Sequence, residues 1–521
     1  MKKRLRICLI NPKFEPSYWG FDYALPLYPG KVACTMATGA LPHLAALTPD
    51  HDVTLLDENV EEIDFAALSR FDVVGVTGMN VQKQRMREVL EVLRSCGIFT
   101  AVGGAYASVD EAYFDELCDV LFSGEADETW PQFIADFAEG RPYERWYKQQ
   151  EMTDMSRLPI PRFDLLKVNR YASGAVQFSR GCPFLCEFCD IIVTFGRRPR
   201  TKRPAQLVEE LEEMRKAGFF SCFIVDDNFI GNKKAAKELL RLIISWQQQH
   251  GYPLRLMTEA SVNLADDAEL LDLLYQANFR SVFIGIETPQ VESLKETKKF
   301  QNTKGDKLEA KLARIQNAGL DISAGFIVGF DNDDESIFER QYQFIQDNGV
   351  LLAMVGMLTA VPKTPLYDRL DKEGRLKLDD TNCNIIPKQM TPSQLRDGYW
   401  RLLQQLYAPE AFLERYFMTC RNPEYIRRRT EITKRTNRDK TLRTVIYGMI
   451  LTWNLFWTLI KERRFKAVGF VYAKYLFTHS FFYQRNIGGI VQFVNRCVAH
   501  WHFYKFTSEA TAGKIRLYNS G

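Results

Sequence analysis

The sequence predicts an α/β protein with a doubly wound parallel sheet first, a partial (βα)6 barrel second and a mostly α-helical C-terminal extension last. Three observations predict it. Short apolar runs alternate with amphipathic helical stretches up to about residue 140. A proline-containing stretch then leads into six more such units, and from about residue 376 the strand signals stop. Alternating strand and helix signals indicate parallel sheets with helices packed on their faces.

In the first unit, expected over residues 1–145, the strand signals are RICLINP, DVTLLDEN, FDVVGVTGMN, IFTAVGGAYAS and DVLFSGEAD, with helices such as QKQRMREVLEVLRSCG between them. Strands buried on both faces read as near-continuous apolar runs of this kind. Gly78, Gly103, Gly104 and Gly124 fall just past strand ends. Ligands bind beyond the carboxyl ends of such strands, and glycine there lets backbone approach a bulky ligand. A tight turn with positive φ would also want glycine, but several on one edge strengthen the ligand reading. No GxGxxG follows the first strand, which argues against a nicotinamide or flavin site.

Residues 146–170, with PIPRFDLL inside, have the prolines of a linker. The barrel is expected over 171–375, on GAVQFSRG, CFIVDDNF, LRLMTEASV, SVFIGIET, ISAGFIVGF and LAMVGMLTAV. Its active site belongs at the carboxyl ends of the strands. Polar residues gather there: Asp226, Asp227 and Asn228, then Glu259 and Ser261, then Glu287 and Thr288. Any one could be a helix cap; their recurrence on strand after strand favours a shared ligand pocket.

The last region, 376–521, opens with helical TPSQLRDGYWRLLQQLYAPEAFLERYF and the basic RRRTEITKRTNRDKTLR. The uncharged run Thr444–Ile460 is 17 residues long, at the short limit for a membrane span. Two other readings stay open for it: a buried helix of an all-α domain, or an interfacial helix with aromatics and flanking arginines. FKAVGFVYAKYLFTHSFFYQ repeats that aromatic, basic character. From Arg421 onward there are 19 Lys and Arg against 5 Asp and Glu, so the net +3 of the whole chain hides a body at −11. A basic end on an acidic body is either a solvated face or a surface for an anionic partner. Peripheral membrane contact is the contact to look for, and no nucleic-acid partner is expected. Eleven cysteines are too sparse for a disulfide framework. The basic N-terminus has an apolar run too short for a signal peptide, so a cytoplasmic location is expected.

Cys182, Cys186 and Cys189 stand in FSRGCPFLCEFCDII as CxxxCxxC, on the loop after the first barrel strand. Thiolates suit iron–sulfur clusters or zinc. A structural zinc site takes four ligands, yet no histidine lies between His51 and His250. Cys222 falls in an apolar strand run, where a buried thiol is the simpler reading. The economical alternative is a [4Fe–4S] cluster with one iron left open to a small chelating ligand.

With Phe188 before the third cysteine, this motif resembles the signature of the radical S-adenosylmethionine (radical SAM) enzymes. IGIET at 284–288 and GFIVGF at 325–330 resemble that family's fourth- and fifth-strand motifs. The resemblance implies that Cys182, Cys186 and Cys189 hold the cluster and that S-adenosylmethionine chelates the open iron. Asp226, Asp227 and Asn228 stand where the family usually has GGE, the holder of the methionine amine. Glu259, Ser261 and Glu287 would face the ribose or methionyl end, and the backbone of Ile327 to Gly329 would lie along adenine. Arg180 would reach the carboxylate or form a salt bridge within the barrel.

A doubly wound domain before such a barrel resembles the cobalamin-binding branch of the family, whose first domain is Rossmann-like. By that resemblance Thr77, Gly78, Met79, Gly103, Gly104, Gly124 and Glu125 would cradle the corrin and its nucleotide tail. There are two departures. NPKFEPSYWG replaces DxHxxG on the first loop, which takes away that motif's histidine ligand to cobalt, and Tyr106 replaces a common histidine. The later motifs are similar to a branch with a C-terminal helical extension, related to enzymes that methylate hopanoids and chlorin pigments. The implied activity is methylation of an unactivated carbon of a hydrophobic small molecule, with a flavodoxin or ferredoxin as reductant. A cyclase or rearrangement enzyme with the same cofactors, and a non-catalytic cobalamin or cluster sensor, are the alternatives. A methylthiotransferase fits less well, because Cys8, Cys34, Cys96 and Cys118 are widely spaced.

Overall fold

The computed structural model describes residues 3–377, 383–436, 441–480 and 487–515. Parts of two runs singled out above, 437–440 and 481–484, lie outside the described residues. The N-terminal part supplies β1 (Arg6–Asn11), β2 (Cys34–Met36), β3 (Asp52–Asp57), β4 (Val73–Thr77), β5 (Thr100–Gly103), β6 (Val120–Ser123) and β7 (Trp146–Lys148). Six of these form one parallel sheet in the order β3-β1-β4-β5-β6-β7. The chain leaves β1 to one side for β3 and then returns to the other side for β4. That reversal is a topological switch point, where an open sheet leaves a crevice at its carboxyl edge. The edge strand β7 comes from the stretch expected to be linker.

The second sheet uses β8 (Tyr171–Val176), β11 (Ser221–Ile224), β12 (Arg255–Ala260), β13 (Phe279–Glu287), β14 (Asp321–Val328) and β15 (Leu352–Met357). Between β8 and β11, β9 (Ser179–Arg180) and β10 (Arg200–Thr201) form a small antiparallel pair. The order is β15-β14-β13-β12-β11-β8-β2, all parallel. The strand β2 therefore leaves the N-terminal segment and pairs with β8, Cys34 beside Tyr171 and Met36 beside Ser173. Burial alternates along β12 and β14: Leu256, Thr258 and Ala260 are buried, as are Ile322, Ala324, Phe326 and Val328, with more open residues between. One face packs under helices, and the other lines the inside of the open barrel.

The helical extension covers the far edge of the barrel. Tyr399 and Tyr407 donate to the carbonyls of Val355 (3.1 Å) and Ala353 (2.7 Å) on edge strand β15. Unpaired edge carbonyls would otherwise stay open to other chains. Gly398 lets helix Pro392–Leu406 press against helix Ile337–Asp347, since a Cβ there would stand 2.0 Å from the Phe338 ring. Helix Thr441–Lys461 answers the question left open by the sequence. Leu451, Leu455 and Leu459 are buried, while Leu442, Ile446, Met449, Trp453, Trp457 and Ile460 are exposed. Among the described residues, no helix is long and apolar enough to cross a membrane.

Candidate active site at the barrel mouth

The three cysteines lie on the loop that leaves β8 and β9. Cys186 is buried, while Cys182 and Cys189 are partly so. The loop is pinned from below: Asp226 accepts from Phe178 N (2.7 Å) and Ser179 Oγ (2.6 Å), and Asp227 accepts from Gly181 N (2.7 Å). Asn228 Nδ2 donates to Ser261 Oγ (3.1 Å) and points at Cys182 Sγ (3.8 Å). Gln301 Nε2 donates to Cys186 Sγ at 3.5 Å, and its Oε1 is buried without a partner. Burial pushes the Cys182 and Cys189 thiols up, so positive charge beside these two favours their thiolates. One source is Lys299, buried and ion-paired to Glu287. Burial works against its ammonium, but Glu287 and then Cys186 hold it well above its usual range.

No three His, Cys, Asp or Glu groups among the described residues converge as a single-ion site. A cluster asks something different, because each cysteine takes its own iron. Soft thiols, amide donors aimed at two of the sulfurs and a buried cation nearby fit that group.

Inside the barrel Glu259 projects from β12, with no hydrogen bond to its carboxylate among the described residues. Burial, then Asp227, then Asp226 push it up to about 8. Burial also raises Asp227 to about 7 and Asp226 to about 6. Carboxyls crowded together with no ion pair of their own among the described residues make a place for a positively charged ligand. Glu287 sits at φ +64, where the β13–β14 register shifts. Ile327 is on the inner face of β14, and its carbonyl accepts from Gln341 (2.7 Å); Gly329 follows at φ +105. Trp19, from the loop that replaces DxHxxG, reaches this interior and packs on Phe283 (5.5 Å between centroids) and Phe223 (6.3 Å).

A cavity of about 340 Å³ joins the two sheets. Thr77, Gly103, Gly104 and Gly124 line it from the first sheet, and Thr194 and Phe195, just past the cysteines, from the barrel. Gly104 is required there: φ is +103, and a Cβ would stand 2.5 Å from Thr77 Oγ1 and 2.9 Å from the Gly78 backbone. A glycine edge of this kind fits a flat, bulky group such as a corrin.

Residues 176–345 match the Radical SAM superfamily, and residues 364–515 match DUF4070, a domain of unknown function. The chain is similar to an uncharacterized methyltransferase of Synechocystis sp., 40% identical over 79% of this chain and 78% of that one. It is 34% identical to the hopanoid C-2 methylase of Rhodopseudomonas palustris, over 87% of this chain and 86% of that one. The chain belongs to the radical SAM methyltransferases. The fold of this radical SAM methyltransferase is also that of the cobalamin-dependent S-adenosylmethionine radical enzyme OxsB, solved with aqua-cobalamin and S-adenosylmethionine bound. The TM-score is 0.61 at 15% identity, covering 99% of this chain and 85% of that one.

Within the methyltransferase the expected residues divide. Thr77, Gly103, Gly104, Gly124 and Glu125 line the cavity, whereas Gly78 and Met79 lie outside its lining and Met79 is exposed. The Glu125 carboxylate is fully buried against Arg180 and Arg200. Arg180 meets neither expectation: it reaches across to Glu125 and Asp127 of the first sheet and ties the two sheets together. Lys299, Gln301 and His43 are additions to the expected set. His43 lines the cavity with Nε2 at 2.5 Å from Asp127 Oδ1. No motif marks them; only folding brings them to the site.

Proposed function

We propose that this enzyme methylates an unactivated carbon of a hydrophobic small molecule, with a [4Fe–4S] cluster, S-adenosylmethionine and cobalamin as cofactors. One observation carries the reading: a single cavity runs from the glycine edge of the first sheet to Arg180, Thr194 and Phe195, which flank the three cysteines in the chain, while the cysteines themselves are not in its lining. When bound, the cofactors supply hydrogen abstraction by an S-adenosylmethionine-derived radical and a methyl group to replace that hydrogen.

Cys182, Cys186 and Cys189 would hold the cluster, and Lys299 offsets part of the negative charge of their thiolates. Asp226 and Asp227 already hold the loop backbone, so Glu259 is the carboxylate left to accept from the ligand's amine and to face its sulfonium charge. Asn228, Ser261 and Glu287 frame its polar end, and the backbone of Ile327 and Gly329 its adenine. Thr77, Gly103, Gly104 and Gly124 let the corrin lie close to the sheet, and Glu125 with Arg180 fixes the sheets at the spacing the transfer needs. Loss of ~1 Å in such positioning costs about 100-fold in rate. Trp19, Phe223 and Phe283 give the barrel an aromatic interior, which suits an apolar substrate.

The protein works in the cytoplasm with a small reducing protein such as a flavodoxin or ferredoxin. It touches the membrane through the exposed apolar stripe of helix Thr441–Lys461, where Trp453 and Trp457 stand among Ile446, Met449 and Ile460. The test is anaerobic incubation with CD3-labelled S-adenosylmethionine, hydroxocobalamin as the only added cobalamin, reductant and a lipid extract, so that any methyl group transferred must come from the label. A product carrying the CD3 label supports methylation. A transformed but unlabelled product means rearrangement, and absence of 5′-deoxyadenosine means a non-catalytic sensor.

A further inference from the structure

We infer that the foot of the barrel, at the opposite end of the strands from the cysteines, carries a binding site for a phosphate group. Three strands begin there: β12 with Arg255, β13 with Arg280 as its second residue, and β14 with Asp321. The extension adds Arg429 and Arg435 from helix Pro423–Arg435, and Arg496 from helix Ile487–Thr511. Asp321 is the one carboxylate ion-paired to any of these five guanidinium groups among the described residues. It takes Arg496 at 2.7 Å and Arg429 at 3.3 Å.

Arg255, Arg280 and Arg435 have no ion pair among the described residues. Arg280 donates to Thr436 Oγ1 at 3.4 Å, and its Nε is buried without a partner; Arg435 Nη2 is likewise buried and unpartnered. Arg429 turns one nitrogen onto the carbonyl of Arg280, at 3.2 Å. Arg429 and Arg496 share Asp321, and Arg435 lies over the Tyr275 ring at 4.3 Å, which leaves Arg280 and Arg255 beside them without an anion of their own; cations gathered in this way, partly out of water, are unfavourable unless a further anion arrives. The strain is visible at Arg280, which burial, then Arg429, then Arg255 push down to about 9. Guanidinium forks match phosphate oxygens in pairs, and Arg255 is open to solvent at the rim.

The setting favours a lipid headgroup as the source. Tyr447, from helix Thr441–Lys461, is an electrostatic neighbour of Arg255. Within one turn of Tyr447, that helix exposes Ile446, Met449 and Ile450. An anionic phospholipid lying along this stripe would bring its phosphate to the arginines. The membrane reading proposed above is needed only for this source, not for the site.

Two arms test it on the full chain at fixed ionic strength. One measures the rise in Tm given by inorganic phosphate over chloride. The other measures flotation with phosphatidylcholine vesicles, with and without phosphatidylglycerol. The wild type is expected to be stabilised by phosphate and to bind the anionic vesicles about ten-fold better than the neutral ones. Arg280→Gln and the rim variant Arg255→Gln should lose the phosphate response and about five-fold of the anionic preference, with neutral-vesicle binding unchanged. Trp453→Glu should lose vesicle binding of both kinds and keep the phosphate response, which separates the site from the membrane reading. A phosphate response lost in the arginine variants with vesicle preference unaltered keeps the site and makes free phosphate its ligand. A phosphate response and a vesicle preference equal in the wild type and both arginine variants overturn the inference.

Discussion

At the mouth of the barrel Asp226, Asp227 and Glu259 crowd together and are pushed up to about 6, about 7 and about 8; at the foot, Arg280 is pushed down to about 9 among other arginines. The two ends gather charge of opposite sign and leave it short of counter-charge. Between them the chain shows that it can pair buried charge fully, as Lys299 does with Glu287. On the readings proposed above, a ligand of the other sign would complete the unpaired groups: a sulfonium at the mouth, a phosphate at the foot. Perturbed groups gathered in this way mark functional sites more often than structural ones.

The sharpest way to break the comparison is at the cysteines. Cys186→Ala should abolish cluster assembly and 5′-deoxyadenosine formation, while the response of the foot to phosphate stays intact. Absorbance near the cluster band, product chromatography and Tm read the three effects separately. Loss of all three would mean that the ends are not independent.

Next in size is the buried pair. Lys299→Met leaves Glu287 charged and uncompensated, which should cost about 3–5 kcal/mol in urea unfolding of the cluster-free protein. Glu287→Gln added to Lys299→Met should recover most of that loss, because no buried charge is then left unpaired. If the double variant is no more stable than the single one, the pair does not act as a unit.

A third test uses pH. The Glu259 carboxyl keeps its proton in the fold up to about 8 against an ordinary 4.5. The folded state thus binds the extra proton, and this group makes the ligand-free protein lose stability as pH rises from 4.5 towards 8. A cationic ligand reverses the preference, since it favours the carboxylate. The affinity for S-adenosylmethionine should then rise with pH from 6 to 7.5, by at most about ten-fold per unit per proton released. The ligand's own α-amine, at about 7.7–8.0, begins to titrate at the top of that window, so the slope between 6 and 7 is the one that reports Glu259. Glu259→Gln should flatten the rise, and equal slopes in both proteins would remove Glu259 from the site.

Much of this could be read in advance from short-range pattern. The six barrel strands, the glycine edge and the cysteine trio are runs and spacings a few residues long, and the structure forms the strands and puts most of the glycine edge in one cavity. What the pattern did not contain is what depends on distant segments meeting. The strand β2 is three residues long, too short for any alternation to show, and it declares itself only by pairing with Tyr171 and Ser173. Lys299 stands in KKFQN, which looks like a solvated loop, yet it is buried against Glu287. The arginine cluster comes from Arg255 to Arg496, over 200 residues apart in sequence. The residues of Thr444–Ile460 suited a buried helix or an interfacial one; in the structure Leu451, Leu455 and Leu459 are buried and the opposite face is exposed, which the sequence pattern could not assign.

That last helix gives the smallest expected effect and tests the outer limit of the comparison. Trp457 is 51% exposed and Trp453 is 60% exposed, so neither contributes much to the core. Trp457→Ala should leave stability within about 0.5 kcal/mol, as surface substitutions usually do. Partition onto neutral vesicles should nonetheless fall about five-fold, since an interfacial tryptophan buries its ring at headgroup level. Both ends of the barrel should be unaffected: S-adenosylmethionine binding at the mouth and phosphate stabilisation at the foot keep their wild-type values. If Trp457→Ala weakens neither neutral nor anionic vesicle binding, the apolar stripe faces something other than lipid. The foot would then draw its phosphate from solution, and the mouth would receive its substrate without a membrane beside it.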